Sequence, residues 1–228
     1  MSTAALWWAI ALSAVPDPAR LQQALALEPT NEAAALAALD ALIIQHPDWI
    51  LPRLEDARLR LKRGEGLFLA EAHLEAARSF NPENARGHYL WGMLMEERRD
   101  SPAAMAAYGV ALALRPDYDD ARFRLAGLQL AAGDFAAAAE GYRAFVKAQP
   151  TVVAARLQLA VAAERSGAVK EAEAQLRKVF ETPPSRAIGG RRLAELYERT
   201  GQKAAAQKVR AAIEPPPRKL RELQRSGR

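Results

Sequence analysis

Residues 119–150 read DDARFRLAGLQLAAGDFAAAAEGYRAFVKAQP, and this stretch decides the fold. Apolar residues recur three and four positions apart on both sides of Gly133-Asp134, the spacing of one helical face. Each side runs for about 13 residues, enough for three to four turns. Gly133 suits the left-handed end of the first helix, and Asp134 suits the N-cap of the second. Pro150 closes the stretch, because proline cannot continue a helix. The segment therefore predicts helix, tight turn, helix and proline-marked link.

The pattern repeats outward in both directions. Pro47, Pro82, Pro116, Pro150 and Pro184 stand 35, 34, 34 and 34 residues apart. The neighbouring stretches are ARGHYLWGMLMEERRDSPAAMAAYGVALALRP from Ala85 and VAARLQLAVAAERSGAVKEAEAQLRKVFETPP from Val153. A further one, AIGGRRLAELYERTGQKAAAQKVRAAIEPPP, begins at Ala187. Their helix pairs are split at Asp100-Ser101-Pro102, Ser166-Gly167 and Thr200-Gly201, with Ser101 predicted as an N-cap before a first-turn proline. A fixed period of this length marks a stacked helical repeat.

Particular positions also recur in register. A small residue stands at Gly92, Ala126, Ala160 and Ala194, each preceded by a large one at Trp91, Leu125, Leu159 and Leu193. Early in the second helix stand Ala104, Ala138, Ala172 and Ala206; one turn later come Tyr108, Tyr142 and Leu176, but Arg210 in the last unit. With the link proline, this set resembles the tetratricopeptide repeat. The match drifts upstream: Ala57-Arg58 stands where a large-then-small pair belongs, and Gln23 takes the small-residue place of the first unit. The resemblance implies an all-α fold, a right-handed superhelical solenoid of stacked antiparallel helix pairs with about five to six units. The expected organisation is an apolar leader over 1–15, an array over 16–217 and a basic tail over 218–228. The units fall near 16–50, 51–84, 85–118, 119–152, 153–186 and 187–217. One cooperative array is expected, since a single hairpin cannot cover its own apolar face.

Composition agrees and excludes much else. The 228 residues include 51 alanines, half the chain is apolar, and only 7% is aromatic. Alanine and leucine lose little side-chain entropy in a helix, so the balance favours helix over sheet. There is no cysteine, hence no disulfide frame, thiol nucleophile or cysteine-based metal site. The three histidines, His46, His73 and His88, form no HExxH or HxxxH pair, and no metal or other cofactor is expected. No phosphate loop or nucleophile elbow occurs. Gly189-Gly190 reads as a place where helices approach closely. Acid pairs such as Glu96-Glu97 are sequence neighbours, which diverge on a helix and make poor acid–base partners. The chain is therefore expected not to be an enzyme.

Recognition remains. In the resembling family the first helix of each unit lines a concave groove that binds peptides or extended segments. By register that face would hold Tyr89, Met93 and Glu96, then Phe123, Gly127 and Leu130, then Leu157, Val161 and Glu164, then Arg191, Glu195 and Arg199. The second unit would add Glu55, Leu59 and Lys62. The alternative reading makes Tyr89, Met93 and Phe123 part-buried core. Chaperone-binding members of the family grip a terminal carboxylate with a basic clamp, but the matching places here hold Tyr89, Met93, Phe123, Gly127 and Leu157.

Charge adds a second hypothesis. The chain carries +5 overall, while Arg165 to Arg228 holds 16 basic and 7 acidic residues. Arg191, Arg192, Lys219, Arg221 and Arg225 could meet phosphates on nucleic acid or an anionic surface, or simply solvate the end of the array. Base-stacking aromatics are scarce there, with Phe180 and Tyr197 alone.

The leader, ALWWAIALSAV within residues 4–15, is too short to span a bilayer. It reads either as an export signal lacking a basic n-region or as an N-terminal helix. Cytoplasmic and periplasmic locations both stay open. The expected function is a non-enzymatic adaptor for a protein or peptide partner, acting as a monomer or with weak self-association. If exported, it would resemble repeat proteins that help assemble bacterial envelope complexes.

Overall fold

The computed structural model describes residues 16–213. Among them are twelve α-helices and no strand. In chain order these are α1 (Pro18–Ala26), α2 (Glu32–Gln45), α3 (Ile50–Arg63), α4 (Leu67–Phe80), α5 (Ala85–Glu97) and α6 (Ser101–Leu114). They are followed by α7 (Asp119–Ala132), α8 (Phe135–Ala148), α9 (Val153–Arg165), α10 (Val169–Glu181), α11 (Arg186–Arg199) and α12 (Lys203–Ile213). The fold is an all-α helical repeat. Contacts gather into two compact units, Met1–Ala121 and Arg122–Arg228, with the division falling within α7.

Turn chemistry sets the helix ends. The side chains of Asn31, Asn84, Asp100 and Asp134 accept from the backbone N–H three residues on, at 3.0, 2.9, 3.0 and 3.2 Å. Each bond satisfies one of the orphan donors at a helix start. Asp100, not Ser101, is the cap of α6, and Ser101 is already helical. A carboxylate reaches the N–H of Ala103 and suits the positive end of the helix better than a hydroxyl would. The turns between paired helices use Gly64, Gly133, Gly167 and Gly201 at φ of +67°, +86°, +87° and +78°, where a Cβ would be strained.

The proline links carry a repeated bond with no counterpart in the sequence pattern read above. Arg53 donates to the Pro47 carbonyl at 3.0 and 2.8 Å, and Arg156 donates to the Pro150 carbonyl at 3.1 and 2.8 Å. His88 Nε2 donates to the Pro82 carbonyl at 2.7 Å. In every case the donor lies six residues after the proline and holds the link against the next first helix. Gly190 occupies that offset after Pro184, so the last link has no such tie.

Side-chain size controls how closely paired helices approach. A Cβ on Gly92 of α5 would lie 2.5 Å from the ring of Tyr108 on α6. A Cβ on Gly141 of α8 would lie 2.9 Å from that of Ala126 on α7. Ala160 and Ala194, the equivalent small residues further on, are buried. In the first unit, Leu21, Ala24, Leu39, Leu42 and Leu59 form a shared core with Trp49 against it. In the second, Tyr142, Phe145, Val146 and Leu159 form one cluster, and Leu176, Leu193, Leu196 and Tyr197 form another. Burial of this apolar surface drives the stacking of hairpins that cannot hide their own faces.

Gly189 is the tightest point. A Cβ there would stand 2.4 Å from the backbone nitrogen of Phe180 and 2.7 Å from the carbonyl carbon of Val179. Backbone cannot swing aside as a side chain can. Gly189→Ala is therefore expected to lower stability by about 1–3 kcal/mol or more. Gly109 of α6 has nothing within 4 Å of its would-be Cβ. Gly109→Ala is expected to raise stability by about 0.5–1 kcal/mol, because alanine is the better helix former. Urea unfolding of the two variants beside the parent checks both signs.

Candidate functional site

In the first compact unit, charged side chains tie together the turn between α1 and α2 and the outward faces of α3 and α5. The extra residue between Pro47 and Pro82 lies in the Gly64-Glu65-Gly66 turn after α3, while α3 itself starts three residues past its proline, as α5, α7 and α9 do. Ala57, fully buried, thereby takes the small-residue place expected of Arg58, and Leu59 is also fully buried. Leu59 cannot line a groove, which corrects the register reading. Arg58 and Lys62 turn outward instead. Arg58 binds Glu28 through two nitrogens and Glu55 at 2.7 Å. Lys62 reaches Glu28 at 3.0 Å, and Arg86 of α5 reaches Glu55 at 2.6 Å. The Arg58 hydrogen bond, with Lys62 adding to it, outweighs burial and holds Glu28 down at about 2.

A second polar cluster lies deeper. Asp56 is fully buried and accepts from Arg60 Nε at 2.6 Å and His73 Nδ1 at 2.7 Å. Burial pushes its carboxyl up, but the bonds from His73 and Arg60 more than offset this and leave it below the usual range. Asp40 beside it is raised, by burial and then by the charge of Asp56. His73 thus serves a buried carboxylate, His46 is buried with its ring 6.0 Å from that of Trp49, and His88 holds a proline carbonyl. Among the described residues no group of three or more His, Asp or Glu stands together as a metal site would require.

Tyr89 is half-buried, its ring 5.8 Å from Tyr108 and 4.8 Å from Tyr118. Met93 is half-buried as well. Glu96 accepts a hydrogen bond from the buried Tyr108 hydroxyl, so it serves the hairpin whatever else it meets. In the second unit, the ring of Phe123 packs 5.4 Å from Tyr142 and 5.0 Å from Phe145, and Leu130 packs against the same core. These contacts give Phe123 a large share in the core of α7 and α8.

The second unit also contains a hollow of about 220 Å³ between α9 and α11. Leu157, Gln158, Val161 and Glu164 line it from α9, and Ile188, Arg192 and Arg199 line it from α11. Val161 and Ile188 are 40% and 39% exposed, although both are apolar. At one end Glu164 takes two bonds from Arg199, at 2.6 and 2.9 Å. Leu157 and Val161 were picked out by register; Ile188 was not, since Arg191, Glu195 and Arg199 were the expected contribution of α11. Arg191 and Glu195 instead border a separate hollow with Arg210 and Ile213. The proposed basic patch is only partly within view. Arg192 lies on the α9–α11 hollow, whereas Lys219, Arg221 and Arg225 fall outside the described residues, as does the leader. Among the described residues no helix is long and apolar enough to cross a membrane.

Two outcomes follow from this geometry. Phe123→Ala is expected to lower unfolding free energy by about 2–3 kcal/mol, since it removes a ring packed on two others. Urea titration followed by helical circular dichroism measures it. Glu28→Gln is expected to destabilise the protein at pH 7. Because the folded carboxyl lies near 2 and its ordinary value is 4.5, its contribution is complete above 4.5 and fades as pH falls toward 2. The gap between parent and variant should therefore close in urea titrations near pH 2.

Comparison with known proteins agrees with the hairpin repeat. Residues 120–151 match the model of the tetratricopeptide repeat. Among solved structures, the chain is similar to YrrB, a tetratricopeptide-repeat protein with an unusual peptide-binding site: TM-score 0.69, 19% identity, 75% of this chain and 88% of that one. It is also similar to PilW, a type IV pilus biogenesis factor, with TM-score 0.67, 20% identity and coverage of 91% and 97%. MamA from Desulfovibrio magneticus RS-1 follows with TM-score 0.64, 18% identity and coverage of 78% and 96%. No curated protein matches the chain in sequence. Residues 120–151 thus match a tetratricopeptide repeat, and the helical hairpins of the chain carry the tetratricopeptide-repeat fold.

Proposed function

We propose that this chain is a non-enzymatic adaptor that holds an extended segment of a partner protein in the hollow between α9 and α11. The observation that carries this reading is the exposure of Val161 and Ile188, two apolar side chains on facing walls of one concavity. Apolar groups kept in water beside a buried core are what a partner side chain would cover. The peptide-binding site named for YrrB supports use of this fold for such a purpose. The first unit offers a different surface, where Glu28, Glu55, Arg58, Lys62 and Arg86 already satisfy one another. Entry of a peptide there would have to break several ion pairs at once.

We also propose an assembly role in the bacterial envelope. Its support is the similarity along nearly the whole of both chains to PilW, itself a pilus biogenesis factor. Phosphate binding through the basic third has weaker support. Arg177, Arg192, Arg199 and Arg210 each lie against a carboxylate, of Glu173, Glu195, Glu164 and Glu198.

The test is affinity capture from the source cell with the full chain as bait, followed by mass spectrometry. Val161→Asp combined with Ile188→Asp is expected to abolish capture of the partner that the parent retains, while helical content and melting stay near parental values. Unchanged capture by the double variant would reject the hollow as the binding site.

A further inference from the structure

We infer that the segment held between α9 and α11 presents an apolar side chain together with an acidic one, and that Arg192 reads the acidic group. This rests on the hollow being the binding site and adds the chemistry of its occupant. The apolar contact is set by Leu157, Val161 and Ile188, which offer no polar partner to a ligand side chain. The charged contact follows from how the hollow's ionic groups are already committed. Glu164 on α9 and Arg199 on α11 bind each other through two parallel hydrogen bonds, at 2.6 and 2.9 Å. Such a fork leaves little for a ligand to gain from either member.

Arg192 is placed otherwise. Its carboxylate neighbour, Glu195, sits three residues along the same helix at 3.2 Å, and the two side chains are 60% and 40% exposed. A same-helix pair in water holds its members weakly, so Arg192 can exchange Glu195 for an incoming carboxylate at small cost. Arg192 also stands one turn from Ile188, so a single ligand segment can reach both. The charges lining the hollow are Glu164, Arg192 and Arg199, an excess of one positive charge. A lysine at the same place on the ligand would face Arg192 and find Glu164 already taken. The group recognised is therefore an acidic side chain within an extended segment.

The test uses the full chain and synthetic peptides capped at both ends. Each carries one leucine with Asp, Asn or Lys at one, two or three residues' distance in a Gly-Ser background. Binding is read by fluorescence anisotropy at low ionic strength. The Asp series is expected to bind at least about tenfold more tightly than the Asn and Lys series at one spacing. Arg192→Glu should invert the order so that Lys peptides bind better than Asp peptides, with helical content unchanged. Equal binding of the three series, an unaltered order in Arg192→Glu, or binding only of peptides with a free C-terminal carboxylate would overturn the inference, as would failure of every peptide to bind. Loss of capture in Val161→Asp/Ile188→Asp alongside an unaltered order in Arg192→Glu would leave the hollow as the site and reject the acidic ligand alone.

Discussion

The close approach of two helices within a hairpin is the constraint on which the rest depends. It requires a small residue on the first helix wherever a large one stands opposite on the second. Gly92 under the Tyr108 ring shows the limit, with room for a hydrogen and no more. Once helices sit that near, the ring is buried on its hairpin and its hydroxyl needs a partner, which Glu96 provides. Packing and polar satisfaction are thus one event, and they fix which face of each first helix is left for other uses. The outward faces of α9 and α11 are what remains after the inward faces have been spent on the core.

The two compact units use those leftover faces differently. In the first, the outward face of α3 meets Glu28 and Arg86, and charged groups close on one another. In the second, α9 and α11 place the apolar Val161 and Ile188 beside the paired Glu164 and Arg199, and a concavity lies between them. One backbone plan therefore yields a surface closed by ion pairs and another that leaves two apolar side chains in water among charged ones. Side-chain chemistry at a few register positions makes the difference. Gly189 contributes as well, because its missing Cβ lets the start of α11 press against the last turn of α10.

Much of the fold was legible in the sequence because its causes are local or periodic. The proline spacing, the glycine turns and the small-residue positions each act within one hairpin, and together they placed the breaks at Gly133, Gly167 and Gly201. Asp100 and Ser101 are both good caps, so the sequence pattern points to Ser101 before Pro102, while in the structure the Asp100 side chain reaches Ala103. The surface was less legible. Counted from its own proline, Leu59 stands where the buried Leu94 stands after Pro82, but the residue inserted in the turn after α3 puts a 34-residue ruler laid from the later units out by one. On α11 the ruler selected Arg191, yet Ile188 and Arg192 are the residues beside Val161. Helix rotation of a fraction of a turn decides such matters, and it follows from packing on neighbours that are distant in sequence. The proline-carbonyl tie was visible in principle, as a basic or imidazole residue six positions past Pro47, Pro82 and Pro150.

A double-mutant cycle between Gly92 and Tyr108 tests the underlying claim most directly. Unfolding free energies would be measured for the parent, Gly92→Ala, Tyr108→Leu and the double variant. The expected result is strong coupling: adding the methyl is costly under the tyrosine ring and far less so once leucine leaves space for it. Additive losses would contradict the account, since they would mean that the small residue at Gly92 is not there to admit the ring.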